Sequence, residues 1–198
     1  MTPLQQSLVI LTAVRNSIER VVLCFYNANG STHSRRPDRY SDVNLSFSMQ
    51  NYLQILLSSF LEEWRRFSSF AKDNPDVRET LCQVQPAMVR FKPGKDLRSV
   101  RSKMLAHPFR ENNGNIVFAW ELFRDSDTPT TFAETLLLGF CALMVVDRVQ
   151  ARHAQDLAAA ESHLLQQDRS VPEKGVITPI ELHAEFARIY SALQAELQ

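Results

Sequence analysis

An arginine and a histidine six positions apart, directly before a proline, form the pattern in this sequence that best suits chemistry. The segment reads Arg101-Ser102-Lys103-Met104-Leu105-Ala106-His107, and Pro108 follows. Histidine exchanges protons near neutral pH, and a guanidinium offers several N–H donors to an anion. The pattern therefore pairs a proton-transfer group with an anion-binding group, and Ser102 is a nearby polar side chain that could orient them.

The position of these residues on a helix decides whether they can meet. A short helix is predicted from about Asp96 to Ala106, and it should end at Pro108 because proline disfavours helical backbone in the residue before it. At about 100° per residue, the inward face carries Leu97 and two other apolar residues (Val100 and Met104), and Arg101 falls near its edge. An unbroken helix would place His107 about 120° around the axis from Arg101. Fraying before the proline lets the imidazole turn back toward the guanidinium.

The surroundings of the motif are strongly basic. Between positions 90 and 110 lie seven basic residues and one acidic residue, which gives a local net charge of +6. The basic residues are Arg90, Lys92, Lys95, Arg98, Arg101, Lys103 and Arg110. Such clusters attract phosphates whatever the base sequence. On charge alone a solvated helix end is the simpler interpretation.

The segment Arg101–His107 resembles the R-x(4–6)-H motif of HEPN domains, especially those that read R-N-K-x-x-A-H. The resemblance covers these seven residues and the helical context. It implies metal-independent RNA cleavage without a cofactor, in which two copies of the motif meet across a homodimer. It also implies catalytic roles for Arg101, His107 and Ser102, and RNA contacts from Lys95, Arg98, Lys103 and Arg110. Many such domains are toxins, so a toxin–antitoxin or phage-defence role, with an antitoxin partner, is expected.

Two other interpretations stay open. Family members commonly carry Asn, Asp or His where this chain has the shorter Ser102, which favours a non-catalytic helical module that binds RNA or a partner protein. Alternatively, the chain is a dimeric scaffold that leaves chemistry to a partner such as a nucleotidyltransferase. In these cases His107 would complement the dipole of its helix and Arg101 would hold a neighbouring loop.

The remaining candidate residues favour structural roles. The other histidines, His33, His153, His163 and His183, show no HxxxH or HExxH spacing, so no metal site is predicted and surface or helix-cap positions are expected. The three cysteines, Cys24, Cys82 and Cys141, are expected to be reduced and buried. Phosphate-binding glycine loops and a GxSxG nucleophile motif are missing from the sequence. Three aromatic residues of one segment, Trp64, Phe67 and Phe70, are expected in the core.

Length and composition predict the fold that positions the motif residues. The chain has 198 residues, 44% of them hydrophobic and 22% charged, with only five glycines and a formal net charge of zero. These values favour one all-α domain over residues 1–198, an antiparallel bundle of five or six helices. The turn residues Asn112-Asn113-Gly114 and the apolar alternation from Ile116 to Leu122 add one possible short β-hairpin near 112–123. A cytoplasmic protein is predicted, since no secretory leader is evident and the apolar run Phe132–Val146 is too short to span a membrane.

Capping patterns and apolar spacing predict the helix limits. Thr2, Pro3 and Gln5 should start a long first helix that ends at Asn29-Gly30, followed by a polar connection to Asp42. The second helix should bury a stripe from Met49 to Phe67 and expose Glu62, Glu63, Arg65 and Arg66. A third helix starts at Asn74-Pro75 and should kink or end at Pro86. Thr131 is predicted to open a long helix that extends as far as Gln167, and the last helix is predicted to open at Thr178, Pro179 and Glu181.

Overall fold

A computed structural model of the chain describes residues 1–31, 39–92, 97, 129, 131–166 and 181–195. These residues form six α-helices, which confirms the all-α prediction. The helices are α1 (Pro3–Ser31), α2 (Arg39–Ser69), α3 (Pro75–Met88), α4 (Phe132–Arg152), α5 (Ala154–Leu165) and α6 (Leu182–Ala195). Two short 3₁₀ turns, Phe70–Lys72 and Val89–Phe91, follow α2 and α3. The described residues contain no strand, and the hairpin predicted near 112–123 lies outside them.

The start of α1 is the reciprocal cap that the sequence predicts. The backbone N–H of Thr2 donates to Gln5 Oε1 at 2.9 Å, and the backbone N–H of Gln5 donates to Thr2 Oγ1 at 3.2 Å. Two N–H groups without an intrahelical partner are thereby satisfied. The helix runs to Ser31, one residue beyond the predicted end.

The second helix departs from expectation at two places. It begins at Arg39, so the predicted connection to Asp42 is too long; polar residues such as Arg39 are good enough helix formers to extend a helix. The apolar stripe is confirmed, because Leu53, Phe60 and Phe67 are fully buried. Glu63, however, is only 5% exposed and lies 3.6 Å from the guanidinium of Arg66, so its predicted exposure is wrong.

The third helix starts as predicted and continues past its internal proline. Asn74 is the N-cap, and its side chain accepts a hydrogen bond from the N–H of Val77 at 3.2 Å, with Pro75 at the first helical position. The helix passes through Pro86 and ends at Met88. Pro86 has no N–H to donate to the preceding turn, but it lies in the last turn of the helix, and the chain continues after Met88 as a 3₁₀ turn.

Thr131 caps α4 as predicted, since its hydroxyl oxygen accepts from the N–H of Glu134 at 3.3 Å. The predicted single helix to Gln167 is wrong. His153 leaves helical geometry, with φ −109° and ψ 31°, and divides the stretch into α4 and α5. Its N–H still donates to the carbonyl of Val149, and its own carbonyl accepts from the N–H of Leu157, so the backbone hydrogen bonding continues across the break.

The chain divides into two compact units, residues 1–164 and 165–198. In the first unit α4 packs against α1, α2 and α3, and α1 packs along α2. The core lies between these helices and includes Leu11, Ile18, Leu57 and Val145, all fully buried. Whether the two units form one domain stays a prediction.

The second unit contains α6. Phe186 is 69% exposed and Ile189 is 45% exposed, and Arg188 forms an ion pair with Glu185 at 2.5 Å on the same helix. Across the described ranges, no helix has the length and apolar character that crossing a bilayer requires.

Candidate functional site

The predicted catalytic residues Arg101, Ser102 and His107 lie outside the described residues, as do the predicted RNA contacts Lys95, Arg98, Lys103 and Arg110. Their roles remain predictions. The described structure does show what flanks the motif on both sides.

Both flanks of segment 98–128 belong to the packed interior. Leu97, directly before it, is 1% exposed and part of the hydrophobic core, which confirms the inward position predicted for this side chain. Pro129, directly after it, is buried, and its carbonyl accepts a hydrogen bond from Gln54 Nε2 on α2 at 2.9 Å. Thr131 then starts α4. The described residues directly before and after segment 98–128 are therefore held in the core.

The described part of the basic region is open to solvent. Arg90 and Lys92, which precede the motif, are both exposed. Within the described ranges neither has an acidic side chain at ion-pair distance. Their charges are thus not neutralised by described neighbours and can attract an external anion.

A buried polar centre that the sequence did not predict surrounds His153. The residue is 4% exposed, so it does not lie at the surface, but the alternative expectation of a helix-cap position is confirmed, because His153 is the C-cap of α4. Its Nε2 lies 3.3 Å from Thr80 Oγ1 on α3, and its ring meets Phe67 edge-on, with centroids 5.6 Å apart. One signal was present in the sequence, because His153 follows Val149 by four positions and so continues the apolar stripe of α4.

The hydrogen bonds of this centre favour an imidazole that carries a proton on Nε2. The Thr80 hydroxyl donates to the carbonyl of Asp76 at 2.8 Å, so its oxygen is left to accept from His153 Nε2–H. The nearest carboxylate is that of Asp156, 3.9 Å from Nδ1, which is too far for a hydrogen bond. Burial of the ring lowers the pKa of His153, although the charges of Asp156 and Asp76 oppose this effect. A neutral, enclosed imidazole holds α3 to the end of α4 and does not suit proton exchange with a substrate.

An exposed ion-pair cluster lies beside this centre. Arg152 Nη2 on α4 pairs with Asp76 at 2.9 Å and also with Glu79, both on α3. All three side chains are at least 38% exposed, so solvent screens the interaction and its contribution to stability is small.

A groove of about 450 Å³ runs between α3 and α4. Its lining residues come from α3, the 3₁₀ turn that follows it, and α4: Gln83, Val84, Pro86, Ala87, Arg90, Cys141, Met144, Val145 and Arg148. Cys141 is 4% exposed, and burial raises the pKa of its thiol, which keeps it protonated at neutral pH. The other two cysteines, Cys24 and Cys82, are exposed, so the prediction of buried thiols holds for Cys141 alone.

The aromatic residues of α2 and the turn after it pack as predicted. Trp64 is 9% exposed, Phe67 is fully buried, and Phe70 packs against the core. None of the three is an open stacking platform for a base. Among the described side chains, no three His, Cys, Asp or Glu residues are grouped so that they could hold a metal ion.

Comparison with known proteins gives no relative for this chain. It matches no family model, no curated protein and no solved structure.

Proposed function

We propose that this protein is a metal-independent endoribonuclease of HEPN type, the toxin of a toxin–antitoxin or phage-defence system. The observation that carries the proposal is the segment Arg101–His107, with its arginine, adjoining lysine, alanine before histidine and following proline. The all-α bundle is the kind of scaffold that such a motif requires.

Two features of the described residues support a site at this segment. Leu97 and Pro129 are both buried, so the chain is anchored in the core directly before and after segment 98–128, which contains the motif. Positioning of catalytic groups depends on such support, because small displacements reduce the rate strongly. Arg90 and Lys92 add exposed positive charge next to the motif, which suits a polyanionic substrate.

The proposed chemistry uses the 2′-hydroxyl of RNA as the internal nucleophile. His107 of one protomer takes the proton from the 2′-oxygen, which attacks phosphorus, and the bond to the 5′-oxygen breaks. A second His107, supplied by the two-fold axis of a homodimer, protonates the leaving 5′-oxygen. Arg101 stabilises the charge that develops on the phosphoryl oxygens, and a 2′,3′-cyclic phosphate results.

The direct test is digestion of a labelled RNA in EDTA by wild type, His107→Ala and Arg101→Ala. We expect cleavage by wild type, with losses of at least about 100-fold in both variants, the usual size of a general acid–base contribution. His163→Ala is a matched control, because this histidine is exposed on α5 and lies outside the motif. Equal cleavage by wild type and His107→Ala would remove the mechanism.

The second candidate is a non-catalytic module that binds RNA or a partner protein through the same basic segment. The shorter Ser102 favours it. In that case Arg101→Ala should weaken RNA binding in a filter assay, while wild type and Ser102→Asn both leave the RNA intact. Cleavage by wild type excludes this candidate.

A further inference from the structure

The groove between α3 and α4 has a cation at each end. The two helices are antiparallel, because Arg152 at the end of α4 pairs with Asp76 at the start of α3. At the other end of α3, Arg90 lies close enough to Cys141 of α4 for its charge to act on the thiol. Arg148 follows Cys141 by seven residues, which on a helix is about 10 Å along the axis. Arg90 and Arg148 therefore extend from backbone positions at opposite ends of the groove.

The floor between these cations is mainly apolar. Val84 and Ala87 of α3 face Met144 and Val145 of α4 across it. Val84 and Val145 are buried, whereas Met144 is 58% exposed, so its flexible thioether can adjust to an occupant. Apolar surface left open to water favours binding of an apolar group.

Neither end charge is neutralised by the described neighbours. Arg148 follows Asp147, but that carboxylate accepts a hydrogen bond from Arg15 of α1 at 2.8 Å. In the part of the chain that the structure describes, no acidic side chain pairs with Arg90 or Arg148. The groove thus lacks two negative charges that would complement it.

The dimensions favour a small molecule over a protein partner. A volume of about 450 Å³ falls within the range of small-ligand pockets. The groove spans only about two helical turns, too little to bury the roughly 1,000 Å² that a specific protein interface needs. We propose that the groove between α3 and α4 binds an amphipathic dianion, a small molecule with an apolar middle and one carboxylate at each end.

The test is isothermal titration calorimetry of the full chain with decanedioate, whose extended length is close to the distance of about 10 Å between the ends of the groove. We expect saturable one-to-one binding. Decanoate, which has one carboxylate, and hexanedioate, which is too short to reach both ends, should bind at least about five-fold more weakly, the effect of losing one exposed ion pair.

Substitutions in the groove test where decanedioate binds. Arg90→Gln and Arg148→Gln should each weaken decanedioate binding by about five-fold, and Met144→Glu, which places a negative charge on the floor, should abolish it. Arg65→Gln is the matched control, because Arg65 is an exposed arginine of α2 outside the groove. Arg148 lies outside the basic segment, so its variant tests the groove without bearing on RNA cleavage. Absence of saturable binding at roughly 1 mM, or equal binding by wild type and all three groove variants, would overturn the proposal.

Discussion

Replacing His153 with glutamine should remove a specific part of the pH dependence of stability. In the native protein this imidazole is 4% exposed, and within the described residues its one hydrogen-bonding partner is the Thr80 hydroxyl, with the Asp156 carboxylate 3.9 Å away. Protonation would create a buried cation whose Nδ1–H has no acceptor at hydrogen-bond distance among the described residues. Burial therefore lowers the pKa of His153 below its ordinary value of 6.5.

The direction and size of the effect follow from proton binding. Because the folded-state pKa is below the unfolded-state pKa, the unfolded chain binds more protons once the pH falls below about 6.5. The full stability is present above that pH. As the pH falls further, the free energy of unfolding decreases by at most about 1.4 kcal/mol per pH unit for one proton, until the folded-state pKa is reached.

Urea denaturation followed by circular dichroism, at about pH 7.5 and about pH 5.5, measures this difference. Between these two pH values, the free energy of unfolding should fall by up to about 1.4 kcal/mol more in wild type than in His153→Gln. Most carboxylates stay ionised over this range, so they contribute little to the difference. The matched control is His163→Gln, because His163 is exposed on α5, and it should behave as wild type. If wild type and His153→Gln lose the same stability on acidification, His153 does not titrate as a buried neutral group and the reasoning fails.

Three further substitutions test the packing of the first unit. Gly139→Ala should raise the free energy of unfolding by roughly 0.5–1 kcal/mol, because a glycine is removed from a helix interior. The new methyl group would make ordinary contacts with Leu53 and Val22 at 3.5–3.6 Å, and thermal melting measures the change in stability. Asn74→Ala should lower the free energy of unfolding by about 1 kcal/mol, because the N–H of Val77 loses its capping acceptor. Asn74→Asp keeps an acceptor and should retain most of the stability, as measured by urea denaturation. Phe60→Ala should cost about 3–5 kcal/mol, because this fully buried side chain leaves a cavity; a loss under about 1 kcal/mol would mean that α2 does not pack there as described.

Local features of the fold were predictable because their causes lie within a few residues of sequence. Thr2 with Gln5, Asn74 with Pro75, and Thr131 with Glu134 all start helices as their types and spacing predict. Hydrogen bonds between a cap and the next turn need no distant partner.

In the candidate site, too, local features were predictable from the sequence and long-range contacts were not. The sequence identified the motif Arg101–His107 and its basic surroundings, and predicted that Leu97 faces inward, which is confirmed. It gave no indication that Gln54 would hold the carbonyl of Pro129, because these residues are 75 positions apart. The groove was missed for the same reason, since Arg90 and Arg148 share a surface only after α3 packs against α4.

The sequence by itself therefore determined the all-α class, the caps that start α1, α3 and α4, and the apolar stripe of α2, because periodicity and capping act over one or two turns. Only the tertiary structure decided that His153 is enclosed by Thr80 and Phe67, that Glu63 is buried, and that Cys141 alone of the three cysteines is hidden. Those outcomes depend on which helix covers each face, and that choice is set by contacts between residues far apart in the chain.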